Sequence, residues 1–211
     1  MTKMKTEDTW RFIHGERANL ATTWESLSAE QWAAASWCEG WTVQEVAGHV
    51  LSAAEQTTMN FYKELAGAGF SFDRFAERGA KRLAAIGPAE LIRRLKARTT
   101  TTNHPPAPVM AMLGEVIVHS DDIRRPLGLS HAAPAAALVA LADNWKNSNL
   151  LIGAKRRISG VSLRATDVDW SHGAGPEVAG PLQSLILAMV GRKGAHVDLT
   201  GAGVAVLATR P

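Results

Sequence analysis

Residues 109–125, VMAMLGEVIVHSDDIRR, decide the fold of this chain. They are mostly apolar, and Pro126 and Gly128 follow directly, so they predict a buried α-helix that ends at this point. Glu115 and His119 are four residues apart, which places them on one face of the helix, about 6 Å apart along its axis. Because an ionised carboxylate in apolar surroundings needs a partner, we expect a second element to meet this face.

A second helix with a well-marked beginning supplies that element. Thr42 is a helix-capping residue, and Glu45 three residues later completes a capping box, so the helix should begin here and continue to about Ala66. His49 lies on the side of this helix that should face the core. Two neighbouring helices would therefore bring a histidine to the face that carries Glu115.

The residue types in this arrangement are typical of a metal site. His49, Glu115 and His119 make a set of two histidines and one carboxylate, which binds a divalent metal and leaves coordination positions open for water or substrate. Asp122 follows His119 by three residues and could orient its ring, or it could be an ordinary carboxylate at a helix end. Spacing alone also allows a buried histidine that is satisfied by a hydrogen bond.

The other helices of the first 155 residues complete a bundle. Residues 7–26 carry an apolar stripe at spacings of three and four, formed by Trp10, Ile13, Arg17, Leu20 and Trp24. Pro88 begins a helix that should continue to residue 98, because proline is well tolerated at a first helical position. These two helices and the two above predict a four-helix bundle. Shorter helices are expected at residues 28–36, 73–83 and 135–151.

The pattern changes after residue 155. Residues 160–170, GVSLRATDVDW, alternate apolar and polar side chains as a half-buried strand does. Residues 181–192 predict a helix, and residues 195–201 and 203–209 predict two strands joined by a glycine turn. We therefore expect a mainly α protein, with a helical bundle at residues 1–155 and a small α+β domain at residues 156–211.

Composition excludes several classes of protein. The 211-residue chain has one cysteine, Cys38, so an internal disulfide and a cysteine-rich metal site are excluded. No apolar run approaches the roughly 20 residues that cross a bilayer, and the first residues lack a secretory leader, so we expect a cytoplasmic protein without a membrane partner. The net charge of +3 comes from scattered residues, and no second recognition helix follows residues 42–50, so nucleic acid is not an expected partner.

Two segments resemble a known family. Residues 37–50, WCEGWTVQEVAGHV, and residues 114–128, GEVIVHSDDIRRPLG, look like the paired signatures of the mycothiol-dependent maleylpyruvate isomerase family, which belongs to the DinB-like four-helix metalloproteins. The resemblance implies zinc bound by His49, Glu115 and His119. It also implies mycothiol as co-substrate, whose thiolate adds to a conjugated double bond, allows rotation and then leaves.

The resemblance extends to the C-terminal residues. Residues 167–207 are similar to the small sterol-carrier-like domain that follows the bundle in this family, in which an arginine assists catalysis. Arg192 is the nearest counterpart. The resemblance implies an isomerase or thiol S-transferase that acts on a small electrophilic substrate, as a monomer or homodimer. A non-catalytic metal-dependent binding or stress protein stays open as the alternative.

Overall fold

The computed structural model describes residues 4–150 and 152–210, which divide into two compact units at residues 4–131 and 132–210. The first unit contains seven α-helices: α1 (Thr6–Glu25), α2 (Ala29–Ala33), α3 (Val43–Glu55), α4 (Thr58–Gly67), α5 (Phe72–Ala84), α6 (Pro88–Ala97) and α7 (Val109–Arg124). A short 3-10 helix, Arg125–Leu127, follows α7.

Four of these helices form a closed bundle. α1 and α3 each contact both α6 and α7, so every helix of the four has two neighbours. The centre is filled by fully buried aliphatic side chains from all four helices, among them Ile13, Leu51, Leu91, Leu113 and Ile117. The predicted four-helix bundle is thus confirmed.

The helix predicted from Thr42 to about Ala66 is wrong in its second half. Thr42 and Glu45 do form the predicted capping box, but α3 ends at Glu55 and the backbone of Gln56 is extended. The side chain of Thr57 then accepts a hydrogen bond from the backbone N–H of Asn60 at 3.2 Å and begins α4. A threonine that caps a new helix competes with continuation of the old one, and the apolar pattern alone does not show which of the two wins.

Helix α5 packs against α3 at a point where each helix has a glycine. A Cβ atom added to Gly48 in α3 would lie 2.3 Å from the backbone oxygen of Ala80 and 2.8 Å from the backbone nitrogen of Ala84. At Gly79 in α5, an added Cβ would lie 2.8 Å from Oγ of Ser52. The backbones of the two helices therefore approach each other closely next to His49.

The second unit contains a small three-stranded sheet. Its strands are β1 (Ser162–Ala165), β2 (Ser171–Gly173) and β3 (Glu177–Gly180), in the order β2-β1-β3. β1 pairs antiparallel with β2 and parallel with β3, so that Leu163 lies opposite both His172 and Val178. The helices of this unit are α8 (Ala135–Trp145), α9 (Ala154–Arg157), α10 (Leu182–Met189) and α11 (Gly203–Ala208). The mainly helical chain with a small C-terminal α+β part is as predicted.

The two strands predicted at residues 195–201 and 203–209 are wrong. Lys193–Asp198 is a 3-10 helix, and α11 occupies most of the second segment. Short apolar runs do not distinguish helix from strand, and the alanines and leucine of α11 are strong helix formers. Only Thr200 makes a strand-like contact in these segments, as an isolated bridge to Ala179.

Helix α8 belongs with the second unit and is shorter than predicted. It ends at Trp145, and the predicted end at Leu151 lies outside the described residues. α8 contacts α10, which explains why the two units divide at residue 131. The domain boundary predicted between residues 155 and 156 stays a prediction. None of the helices among the described residues is both long and apolar enough to cross a membrane.

The close contact between α3 and α5 predicts that one added methyl group destabilises the folded protein. Gly48→Ala should lower the free energy of unfolding by about 1–3 kcal/mol, because the added Cβ meets backbone atoms that cannot rotate away. Gly15→Ala is the matched control, since Gly15 is an exposed residue within α1 with open space at the Cβ position. It should raise stability by about 0.5–1 kcal/mol. Urea unfolding of both variants measures the effect, and equal stability of the two would contradict the packing described.

Candidate metal centre

Three of the predicted site residues meet inside the bundle. His49 comes from α3, and Glu115 and His119 come from the neighbouring α7. Nε2 of His49 lies 2.8 Å from Oε1 of Glu115, and Nε2 of His119 lies 3.4 Å from the same oxygen. The three atoms lie within 4.8 Å of one another, a spacing that one metal ion could bridge. The structure thus brings the proposed ligands together, while metal binding itself stays a prediction.

The shared oxygen of Glu115 is the most informative atom of this group. Oε1 is buried, and no group among the described residues donates a hydrogen bond of acceptable geometry to it. Both imidazole nitrogens are close, yet neither directs an N–H at it well. Since buried polar atoms are nearly always satisfied, an oxygen of this kind calls for an explanation. An ion held jointly by the oxygen and the two nitrogens would satisfy all three atoms, so the residues fit a divalent metal.

The charges of these residues depend on one another. Burial alone would raise the pKa of Glu115, but its interactions with His49 and His119 outweigh burial and hold this pKa well below its usual range. Burial alone would lower the pKa of His119, but Glu115, Asp122 and Cys38 outweigh it and hold this pKa well above its usual range. The two shifts have opposite directions, as expected of an ion pair between Glu115 and His119.

Asp122 holds the ring of His119 from the opposite side. Its side chain is fully buried, and its Oδ2 accepts a hydrogen bond from Nδ1 of His119 at 2.8 Å. When the neutral ring carries its proton on Nδ1, the free lone pair is on Nε2, the nitrogen that faces Glu115 and His49. A histidine whose second nitrogen binds a carboxylate is common in zinc sites, because the carboxylate fixes both the tautomer and the ring orientation. The contact supports the predicted role of Asp122 in orienting His119.

The segment that precedes α3 also contributes to the site. Cys38 donates a hydrogen bond from Sγ to Oδ2 of Asp122 at 3.1 Å, and its Sγ lies 3.6 Å from Nδ1 of His119. The ring of Trp41 meets the ring of His49 edge-on, with centroids 5.4 Å apart. Sequence reasoning used Cys38 only to exclude a disulfide and a cysteine-rich metal site, and it missed this contact. The available signal was its position in the WCEGW segment, next to the second helix.

Cys38, His119 and Asp122 form a second set of atoms that could hold a metal ion. Here, however, the donors and acceptors already satisfy each other: the thiol and the imidazole both donate to the carboxylate. The set of His49, Glu115 and His119 instead contains an acceptor without a donor. The set of His49, Glu115 and His119 therefore fits a metal ion better, and its role as the metal site stays a prediction.

Arg17 is a further charged residue of the bundle interior that sequence reasoning did not connect with the site. It is buried in α1 and donates hydrogen bonds to the backbone oxygens of Arg98 and Thr101 at 3.3 and 3.0 Å. Burial lowers its pKa to about 10, although the charge of Glu115 raises it in part. Its place in the apolar stripe of α1 was the signal available in the sequence.

Arg192 lies in the second compact unit, three residues after the end of α10. Its backbone N–H donates to the oxygen of Leu187 at 2.9 Å. Its guanidinium is close enough to Arg157 to help lower the pKa of that residue, for which burial is the larger cause. The catalytic role of Arg192 stays a prediction.

The coupled charges predict how the metal-free protein responds to pH. Since the pKa of His119 is raised in the folded state, its stabilising contribution is complete below 6.5 and is lost as the pH rises through the folded pKa. The contribution of Glu115 is present above 4.5 and is lost as the pH falls through its lowered pKa. The pair should therefore stabilise the chelator-treated protein most between these two values.

Urea unfolding over a range of pH tests this expectation. Glu115→Gln should flatten the decline in the free energy of unfolding above pH 6.5, because His119 loses its charged partner. Glu7→Gln, at an exposed position in the first turn of α1, is the control and should leave the decline unchanged. The same decline in both variants would show that His119 and Glu115 are not coupled.

Comparison with known proteins gives a family match for part of the chain. Residues 13–104 match the family model described as the mycothiol maleylpyruvate isomerase N-terminal domain. This segment includes His49, whereas Glu115 and His119 lie beyond it. No curated protein sequence matches the chain.

Two solved structures share the fold: the crystal structure of the mycothiol-dependent maleylpyruvate isomerase and that of a histidine-to-alanine mutant of it. Each aligns with a TM-score of 0.67 and 16% sequence identity, over 96% of this chain and 96% of the other. At this identity the likeness establishes the fold. The resemblance inferred from the sequence is thus confirmed: residues 13–104 match the mycothiol maleylpyruvate isomerase N-terminal model, within a chain that has the fold of the isomerase.

Proposed function

We propose that this protein is a metal-dependent enzyme that uses a small thiol, mycothiol. It either isomerises a small electrophilic substrate or transfers the thiol to it. One observation carries the proposal: three atoms converge in the bundle, namely Nε2 of His49, Nε2 of His119 and Oε1 of Glu115. This oxygen is buried and accepts no hydrogen bond from the described residues. Three protein ligands of this kind leave coordination positions open for a reactant, as catalytic sites do. The family match supports mycothiol as the thiol.

Zinc is the metal we expect, because two imidazoles and one carboxylate are among its preferred ligands. A bound divalent cation lowers the pKa of a thiol or water, so that a thiolate or hydroxide is present at neutral pH. His49, Glu115 and His119 would hold the ion, and Asp122 would keep Nδ1 of His119 protonated and its ring oriented. Trp41, stacked edge-on against His49, would limit the rotation of that ring.

The same proposal covers location and partners. The single cysteine excludes an internal disulfide, which is consistent with the cytoplasm. The proposed partners are the small thiol and its electrophile, without nucleic acid, and the protein would act as a monomer or homodimer.

The ligand assignment predicts the metal content of single variants. The purified protein should contain one equivalent of zinc, and His49→Ala, Glu115→Ala and His119→Ala should each lose it, because two remaining ligands hold the ion weakly. His172→Ala is the control, since His172 lies in β2 of the other unit, and it should keep the metal. Elemental analysis after dialysis measures the content. Full zinc in all three ligand variants would remove the proposed site.

Turnover separates an enzyme from a binding protein. Zinc-loaded protein should convert a conjugated cis-dicarbonyl compound to its trans isomer only when mycothiol is present, or should consume mycothiol with an electrophile in a saturable manner. Glu115→Ala should lower the rate by at least about 100-fold, to the level of the thiol alone, because the thiolate is no longer stabilised. Tight binding of thiol or substrate by the loaded wild type without any product would instead favour a carrier or stress protein.

A further inference from the structure

The thiol of Cys38 lies next to both Asp122 and His119. Its Sγ donates to Oδ2 of Asp122 at 3.1 Å, the same oxygen that accepts the hydrogen bond from Nδ1 of His119. The carboxyl group is fully buried, so water cannot reach it and the protein must supply its hydrogen bonds. A donor lost at this position is therefore not replaced by solvent, and the position of the carboxylate depends on the donors that the protein supplies.

The backbone next to Cys38 fixes the thiol in this place. The N–H of Trp37 donates to the backbone oxygen of Asp122 at 3.0 Å, so consecutive residues bind the side chain and the backbone of one aspartate. Oγ of Ser36 accepts from the N–H of Cys38 at 3.1 Å and donates to the oxygen of Trp41 at 2.8 Å, which closes the loop on itself. The loop of residues 36–41 is thus a preformed unit tied to α7.

This loop touches both imidazoles of the site. It meets His119 through Cys38 and Asp122, and it meets His49 through the ring of Trp41. The two histidines come from different helices, and the loop is in contact with both side chains. A shift of the loop would therefore change the geometry at both nitrogens that face Glu115.

We propose that Cys38 is a positioning residue, whose S–H holds the carboxylate of Asp122 against Nδ1 of His119 and thereby sets the tautomer and direction of that ligand. The proposal rests on the metal site proposed above. Cys38 acts here through Asp122 and does not bind the metal or the substrate. Its sulfur lies on the Nδ1 side of the ring, whereas the proposed metal position lies on the Nε2 side.

Two readouts test the proposal, one of them independent of metal. In chelator-treated protein with nitrogen-15-labelled histidine, NMR should show a slowly exchanging Nδ1–H of His119 in the wild type. Cys38→Ala should show faster exchange of this proton, and its zinc affinity should fall by about tenfold, at the lower end of what outer contacts to metal ligands contribute. Cys38→Ser keeps a donor on a shorter side chain, so it should fall between the wild type and Cys38→Ala in both readouts.

Further variants separate positioning from packing. Cys38→Val fills the volume of the thiol without supplying a donor, and it should give the same losses as Cys38→Ala. Because it leaves no cavity, it also tests the proposal if the alanine variant folds poorly. Glu39→Ala changes an exposed residue of the same loop and should leave both readouts at the wild-type value. On an Asp122→Asn background, Cys38→Ala should add little further loss, because both changes act through the same contact.

The outcomes separate this proposal from the function on which it rests. A wild-type Nδ1–H signal and wild-type zinc affinity in Cys38→Val would overturn the role of Cys38 and leave the metal site standing. A wild type that binds no zinc would overturn the proposed function, and the exchange of the His119 proton would still decide whether Cys38 positions Asp122.

Discussion

The carboxylate of Glu115, whose Oε1 is buried, is the constraint on which the rest of the bundle depends. An ionised group within an apolar helix is tolerated only where opposite charge or an ion compensates it. His49 and His119 supply that compensation at 2.8 and 3.4 Å, and α3 must lie against α7 for the first of them to reach. The pairing of α3 with α7 is thus required by the electrostatics of one side chain as well as by apolar packing. Arg17 on α1 adds positive charge that Glu115 senses from a third helix.

A close contact with α5 on another face of α3 restricts the same helix. Gly48 precedes His49 directly, and its missing side chain lets α5 approach the backbone of α3. A helix placed between two others, with charge on one face and close backbone contact on another, has little freedom to rotate about its axis. The direction of His49 therefore depends on packing on both sides of α3. The edge-on contact with Trp41 adds a restraint at the ring itself.

The sequence indicated those features that depend on spacing within one helix. Glu115 and His119 share a face because they are four residues apart, and Thr42 with Glu45 begins α3 through contacts within one turn. Features that depend on competition between local and distant contacts were not predictable in this way. The break at Gln56 depends on Thr57 as a cap, and α11 forms a helix where a strand was predicted. The contact of Cys38 with Asp122 joins residues 84 positions apart, so spacing within one helix could not reveal it.

With the proposed ligands, a proton and a metal ion would compete for the ring of His119. The raised pKa of His119 and the lowered pKa of Glu115 are those of an ion pair. Binding of the proposed ion would displace the proton on Nε2 of His119, which would cost affinity at low pH. The hydrogen bond from Nδ1 to Asp122 would be unaffected by this exchange, because it uses the other nitrogen of the ring. Asp122 would therefore hold the ring of His119 in one direction whether Nε2 carries a proton or binds an ion.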